Sequence, residues 1–225
     1  MGSFFAPWYK PYMTDLLSAI AAFIVSHAIP ALGPLRAYLI RAMGFPMYVS
    51  LYSMISLAVL VWLGFAYANA PYIEVWAFQE WTRWLTLILM GPSCYLLVVG
   101  LLSPNPLSLS LLPADRFDPD RPGIVGMMRH PVIWAIGLWA LAHLAPNGDL
   151  ASLLMFSLLL LAGLAGPRSL DRKRRAKLGE QQWQELTQGK ATLKGLTVSP
   201  FIGGGVLYAA IFFAHEWLVG VAPLP

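Results

Sequence analysis

Charge is what this chain has least of. Asp, Glu, Lys and Arg make up 12% of its 225 residues, against 58% hydrophobic, and the mean hydropathy is +0.62. A soluble domain carries about 25% charged and about 45–50% apolar residues. Too little polar side chain remains here to cover a globule in water. That excludes a soluble enzyme, a disordered chain and a nucleic-acid-binding protein, and leaves a polytopic membrane protein in contact with the lipid bilayer. Cysteine is almost missing. Cys94 is the only one, so an intrachain disulfide and a Cys-rich metal or iron–sulfur centre are excluded, and Cys94 is expected to be a small buried hydrophobe. The apolar runs do not alternate, which argues against a β-barrel. The start lacks the basic stretch of a cleaved signal peptide, and Met1-Gly2-Ser3 has Ala6 where a myristoylation signal has Ser or Thr. Internal repeats and low-complexity tracts are absent.

What is present is a series of apolar segments. A helical crossing needs about 20 residues, and the sequence predicts an all-α bundle of six spans in one domain over residues 1–225. They are Tyr12–Ala31, Ser50–Ala68, Trp84–Leu102, Pro131–Ala145, Leu150–Gly166 and Pro200–Val219. Pro146-Asn147-Gly148-Asp149 has tight-turn chemistry, which predicts that spans four and five form an antiparallel hairpin. The proline-rich stretch from Pro104 to Pro122 is expected to be loop. Leu178, Trp183 and Leu186 among polar residues predict an amphipathic helix between spans five and six.

Basic residues orient the bundle. Arg36 and Arg41 follow span one, and Arg116, Arg121 and Arg129 follow span three. Arg168, Arg172, Lys173, Arg174, Arg175, Lys177, Lys190 and Lys194 lie between spans five and six. With six alternating spans, 13 of the 15 basic residues fall on one side, leaving Lys10 and Arg83 on the other. The positive side is expected to be cytoplasmic and both termini periplasmic. Tyr72, Trp76, Trp81 and Trp84 are expected in an interfacial aromatic belt. The basic run Arg168–Lys177 is expected at anionic headgroups rather than on nucleic acid.

Ionisable groups at lipid depth are costly and mark function. The four histidines, His27, His130, His143 and His215, all fall in spans or at their mouths. His27 and His130 are expected at the cytoplasmic level. His143 is 13 residues further along span four than His130, about 20 Å at the helical rise, and is expected near the outer face with His215. His27 with His130 is the first candidate pair for a metal or haem, and His143 with His215 the second. No Asp or Glu is placed at cytoplasmic depth in the same spans, and no His-Glu-x-x-His is present. Two imidazoles without carboxylates suit a b-type haem better than a hydrolytic metal. Arg129-His130-Pro131 marks a helix start, and Arg129 can hold a propionate or phosphate by a bidentate fork.

Ser26-His27 with Pro30, Leu35-Arg36, Arg129-His130-Pro131, Ala142-His143-Leu144 and Asn147-Gly148-Asp149 resemble, in order and spacing, the NnrU family of bacterial inner-membrane proteins. The resemblance runs from about Asp15 to about Lys194. It implies a relation to the 15-cis-zeta-carotene isomerases, membrane proteins that hold haem b by histidine. By that resemblance His27 and His130 are the iron ligands, with Arg36 and Arg129 at the propionates. His143, His215, Asn147 and Asp149 form a second tier. The implied roles are isomerase-like action on a lipophilic polyene, or redox support in denitrification. A more distant similarity is to isoprenylcysteine carboxyl methyltransferases, which would imply use of S-adenosylmethionine. It rests on Arg129-His130-Pro131 and on Gly179-Glu180-Gln181-Gln182-Trp183. The chain departs from that pattern at Val132-Ile133-Trp134-Ala135 and Leu170-Asp171-Arg172-Lys173. A cationic sulfonium would also meet the basic run Arg168–Lys177. The third alternative is a cofactor-free membrane assembly protein whose histidines pack helices.

Overall fold

A computed structural model describes residues 12–28, 32–187 and 198–224. Lys10, Pro30, Lys190 and Lys194 lie outside the described residues. The elements are α1 (Met13–Ala28), α2 (Gly33–Met43), α3 (Phe45–Ala68), α4 (Trp81–Leu101), α5 (Ile124–Met127), α6 (Pro131–Leu144), α7 (Leu150–Leu178), α8 (Glu180–Thr187) and α9 (Ser199–Val219). Among the described residues there is no strand, only an isolated bridge between Glu74 and Asp149.

Four helices, α3, α4, α7 and α9, are long and apolar enough to cross a membrane, and the bent pair α1 and α2 makes a fifth if it counts as one span. Only 11% of the apolar window of α3 and 6% of that of α9 is buried inside the protein. Phe213 and Trp217 on α9 are almost bare. Such apolar surface suits contact with lipid tails.

Several expected boundaries shift for local reasons. α1 is described as far as Ala28, and Arg36 and Arg41 lie on a second helix, opened by Pro34 in its first turn. Span five runs 12 residues past Gly166 to Leu178, carrying Pro167 and the basic run Arg168–Lys177 within α7. The hydropathy ends there, but Arg, Lys, Leu and Ala are good helix formers, so the helix continues. The segment from Pro104 to Pro122 holds a single 3-10 turn, Ala114–Arg116.

The chain divides into two compact units. Unit 1 comprises 1–75 and 149–155, and unit 2 comprises 76–148 and 156–225. In unit 1, Leu16 and Ala19 of α1 pack on Leu63 and Ala66 of α3, with Ala151. Tyr67 and Ser152 share a hydrogen bond of 2.8 Å. Asp149 caps α7: its Oδ1 accepts from the Ser152 backbone N–H at 3.0 Å.

In unit 2, α6 and the residues of α7 from Phe156 onward run antiparallel, as the turn predicted. Trp139 meets Phe156 with ring centroids 5.3 Å apart. Further along, Gly137 faces Gly163, and Ile133 faces Gly166. A Cβ on Gly163 would stand 2.6 Å from the Gly137 Cα, so these helices touch backbone to backbone. Leu96 and Val99 of α4 pack with Ile124, Val125 and Ala135. Met90 and Cys94 of α4 pack with Ala142, against Leu207 and Ile211 of α9. Cys94 is 2% exposed, a small buried hydrophobe as expected.

Candidate functional site

The site lies where α6 starts. Pro131 sets the first helical position, and the residue before a proline is kept out of the α region. His130 accordingly has φ −126° and ψ 58° and is the N-cap residue of α6. Its carbonyl accepts the first helical bond, from the Trp134 N–H at 3.1 Å. Gly100 at the end of α4 allows the approach, since a Cβ there would stand 2.8 Å from Pro131 Cγ. The chain before His130 is held by Asn105, which is 3% exposed. The Asn105 Nδ2 donates to the Arg129 carbonyl at 2.9 Å, and its Oδ1 accepts from the N–H groups of Leu107 and Ser108 at 2.9 and 3.1 Å.

His130 is 2% exposed. Its Nε2 donates to Asp171 Oδ1 at 2.8 Å. Arg129 grips the same carboxylate with a fork, Nε to Oδ1 at 3.1 Å and Nη2 to Oδ2 at 2.7 Å. The hydrogen bonds from Arg129 to Asp171 push its guanidinium pKa further up. His130 Nδ1 is buried and has no partner among the described residues. The expectation that no carboxylate stands with these histidines is therefore corrected. Asp171 comes from α7, some 40 residues away in sequence, because the antiparallel hairpin brings the polar end of α7 to the first turn of α6. Trp183 of α8 lies by Arg129, its ring centroid 5.9 Å from the guanidinium carbon. A small surface depression opens beside Arg129, lined by Phe117, Pro122, Val125, Arg129, Leu186 and Thr187.

His27 and Arg36 belong to unit 1 and Arg129 and His130 to unit 2. His27 is exposed in the last turn of α1, its Nδ1 at 2.8 Å from the Phe23 carbonyl and its ring on Phe23, centroids 4.1 Å apart. A carbonyl only accepts, so Nδ1 carries the proton and Nε2 presents its lone pair outward. Arg36 stands 5.8 Å from the centre of the Tyr48 ring. His143 lies at the far end of α6, Nδ1 on the Trp139 carbonyl at 2.8 Å, in an aromatic cluster with Trp139 and Phe156. His215 Nδ1 meets the Val221 carbonyl at 2.7 Å. Asn147 and Asp149 are helix caps: the Asn147 Nδ2 donates to the His143 carbonyl at 2.7 Å. Trp76 donates its Nε1–H to the Ala145 carbonyl at 3.1 Å. Trp81 and Trp84 stay exposed. Among the described residues, no group of three or more His, Cys, Asp and Glu is placed to hold a metal ion.

Long apolar helices with lipid-facing surfaces, and a hydrogen-bonded Arg-His-Asp cluster where the polar end of one meets the mouth of another, define a multi-pass membrane protein. The chain belongs to the NnrU family: the family described as "NnrU protein" matches residues 15–223, past the Lys194 limit of the sequence motifs. No curated protein and no solved structure matches it.

Proposed function

We propose that this NnrU-family protein is a haem b protein of the bacterial inner membrane, with the imidazoles of His27 and His130 as iron ligands. The observation that carries this is the buried, unpartnered Nδ1 of His130. A buried lone pair without a partner is costly, and a metal ion satisfies it. The far nitrogen, bonded to a carboxylate, matches the outer-shell arrangement of metal-bound histidines. His27, with Nδ1 on a backbone carbonyl and Nε2 outward, has the same logic with the nitrogens exchanged. Arg36 and Arg129 are the propionate partners. Arg129 retains Nη1 for that role, since Nε and Nη2 hold Asp171.

Six spans with periplasmic termini suit this site. Although α6 has only 14 residues, it packs along the apolar part of α7, which supports a crossing at the same depth. His130 and Arg129 then share the positive, cytoplasmic end with Arg168–Lys177. A bound haem would supply redox chemistry. The chain itself excludes water around His130 and fixes the ring. The reactions served are isomerisation of a lipophilic polyene or redox support for denitrification.

The test is the visible spectrum of protein purified in mild detergent from haem-replete cells. A Soret band and a reduced α-band are expected, lost or shifted in His27→Ala and His130→Ala. A colourless, folded protein overturns the reading. One observation favours a second reading, methyl transfer from S-adenosylmethionine. Trp183 of the Gly179–Trp183 stretch stands against Arg129 of the Arg-His-Pro mouth. Tight S-adenosylmethionine binding by calorimetry, in colourless protein, would promote it.

A further inference from the structure

We infer that Asp171 is a positioning residue which locks the His130 ring with its proton on Nε2, leaving Nδ1 as the nitrogen that takes a ligand. Iron as that ligand rests on the haem reading; the state of the ring does not. A carboxylate accepts hydrogen bonds and does not donate them, so the contact of 2.8 Å between Nε2 and Asp171 Oδ1 places the proton on Nε2. The carboxylate cannot turn away, because Arg129 holds both of its oxygens in a fork. Nothing competes for Nδ1 from the next residue, because Pro131 has no N–H.

The other three histidines are set the opposite way. His27, His143 and His215 each turn Nδ1 to a backbone carbonyl at 2.7–2.8 Å. In those rings Nδ1 carries the proton and Nε2 is the free acceptor. His130 is thus the exception of the four, and a carboxylate makes it so. A ligand must reach it from the Nδ1 side, close to its own backbone at the mouth of α6. The ligand class is a Lewis-acidic metal, haem iron included, or a strong hydrogen-bond donor.

The test is the imidazole nitrogen NMR spectrum of detergent-solubilised protein labelled with 15N-histidine. If the protein is coloured, it is reduced with dithionite to the diamagnetic low-spin state. Wild type is expected to give three rings protonated on Nδ1 and one on Nε2. Asp171→Asn keeps an oxygen acceptor and should keep that single Nε2–H ring. In protein free of haem, where no iron holds Nδ1, Asp171→Ala should lose it, leaving a mixed or reversed ring. Four rings protonated on Nδ1 in wild type overturn the inference, as does an unchanged Nε2–H ring in haem-free Asp171→Ala. The wild-type count needs no variant to fold. Colourless protein with the three-to-one pattern removes the haem reading and leaves the ring assignment standing. Haem-containing protein with four Nδ1–H rings does the reverse.

Discussion

Two glycines face each other across the α6–α7 contact, and they are not equivalent. A Cβ on Gly163 would stand 2.6 Å from the Gly137 Cα and 3.0 Å from its nitrogen. Both are backbone atoms that cannot rotate away. A Cβ on Gly137 would stand 3.4 Å from the Gly163 Cα, an ordinary contact. Replacing either by Ala removes the same helix penalty of about 0.5–1 kcal/mol, so the difference between the two variants isolates packing. Overpacking costs about 1–3 kcal/mol. Gly163→Ala should therefore be less stable than Gly137→Ala by about that amount, or roughly 2–12 °C in melting temperature for a chain of this size. Cys94 supplies the assay: it is the lone thiol and is 2% exposed, so a thiol-reactive dye reports its exposure during heating in detergent. Equal melting temperatures, or a less stable Gly137→Ala, would refute the backbone contact and the hairpin register built on it.

Three further outcomes are expected. Asn105→Ala strands two buried N–H groups and frees the Arg129 carbonyl; a loss of about 1–3 kcal/mol should appear in the same dye assay, with faster proteolysis between residues 103 and 123. Asp149→Ala removes the cap of α7 and should cost about 1 kcal/mol, while Asp149→Asn restores most of it. At Glu180, the hydrogen bond from Arg175, helped by that from Gln184, holds the carboxyl below its usual range. A depressed folded value means that this link between α7 and α8 is intact above the ordinary glutamate value of about 4.3 and is lost as pH falls through the lower one. A nitroxide on Gln181→Cys in a Cys94→Ala background should gain mobility only in that acid range, and Glu180→Gln should be mobile throughout.

The parts of this protein legible in the sequence are those written locally. Pro131 announces the start of α6, Asn147 to Asp149 announce the hairpin, and the hydrophobic runs mark α3, α4, α7 and α9 as long and apolar enough to cross a membrane. Hydropathy alone misplaces the end of α7, because the helix continues through residues that are charged but helix-favouring. It also misses α2, whose Arg36 and Arg41 interrupt the apolar run without breaking the helix. Asp171 escapes notice as a partner of His130 because it stands among basic residues that read as a headgroup anchor. One signal could have found it: it is the lone acid in that run, carried on the helix that the hairpin turn sends back toward His130. Asn105 reads as part of a proline-rich loop, and only its three hydrogen bonds reveal it as the support beneath Arg129.

If the buried Nδ1 of His130 awaits haem iron, the visible spectrum must show it. The most direct test is the oxidised and dithionite-reduced spectrum of wild type beside His130→Ala, both purified from haem-replete cells and shown to be folded by the Cys94 dye assay. A Soret band and a reduced α-band in wild type, lost or shifted in His130→Ala, is the predicted result. A folded wild-type protein without a Soret band, or one whose spectrum is unchanged in His130→Ala, would contradict it.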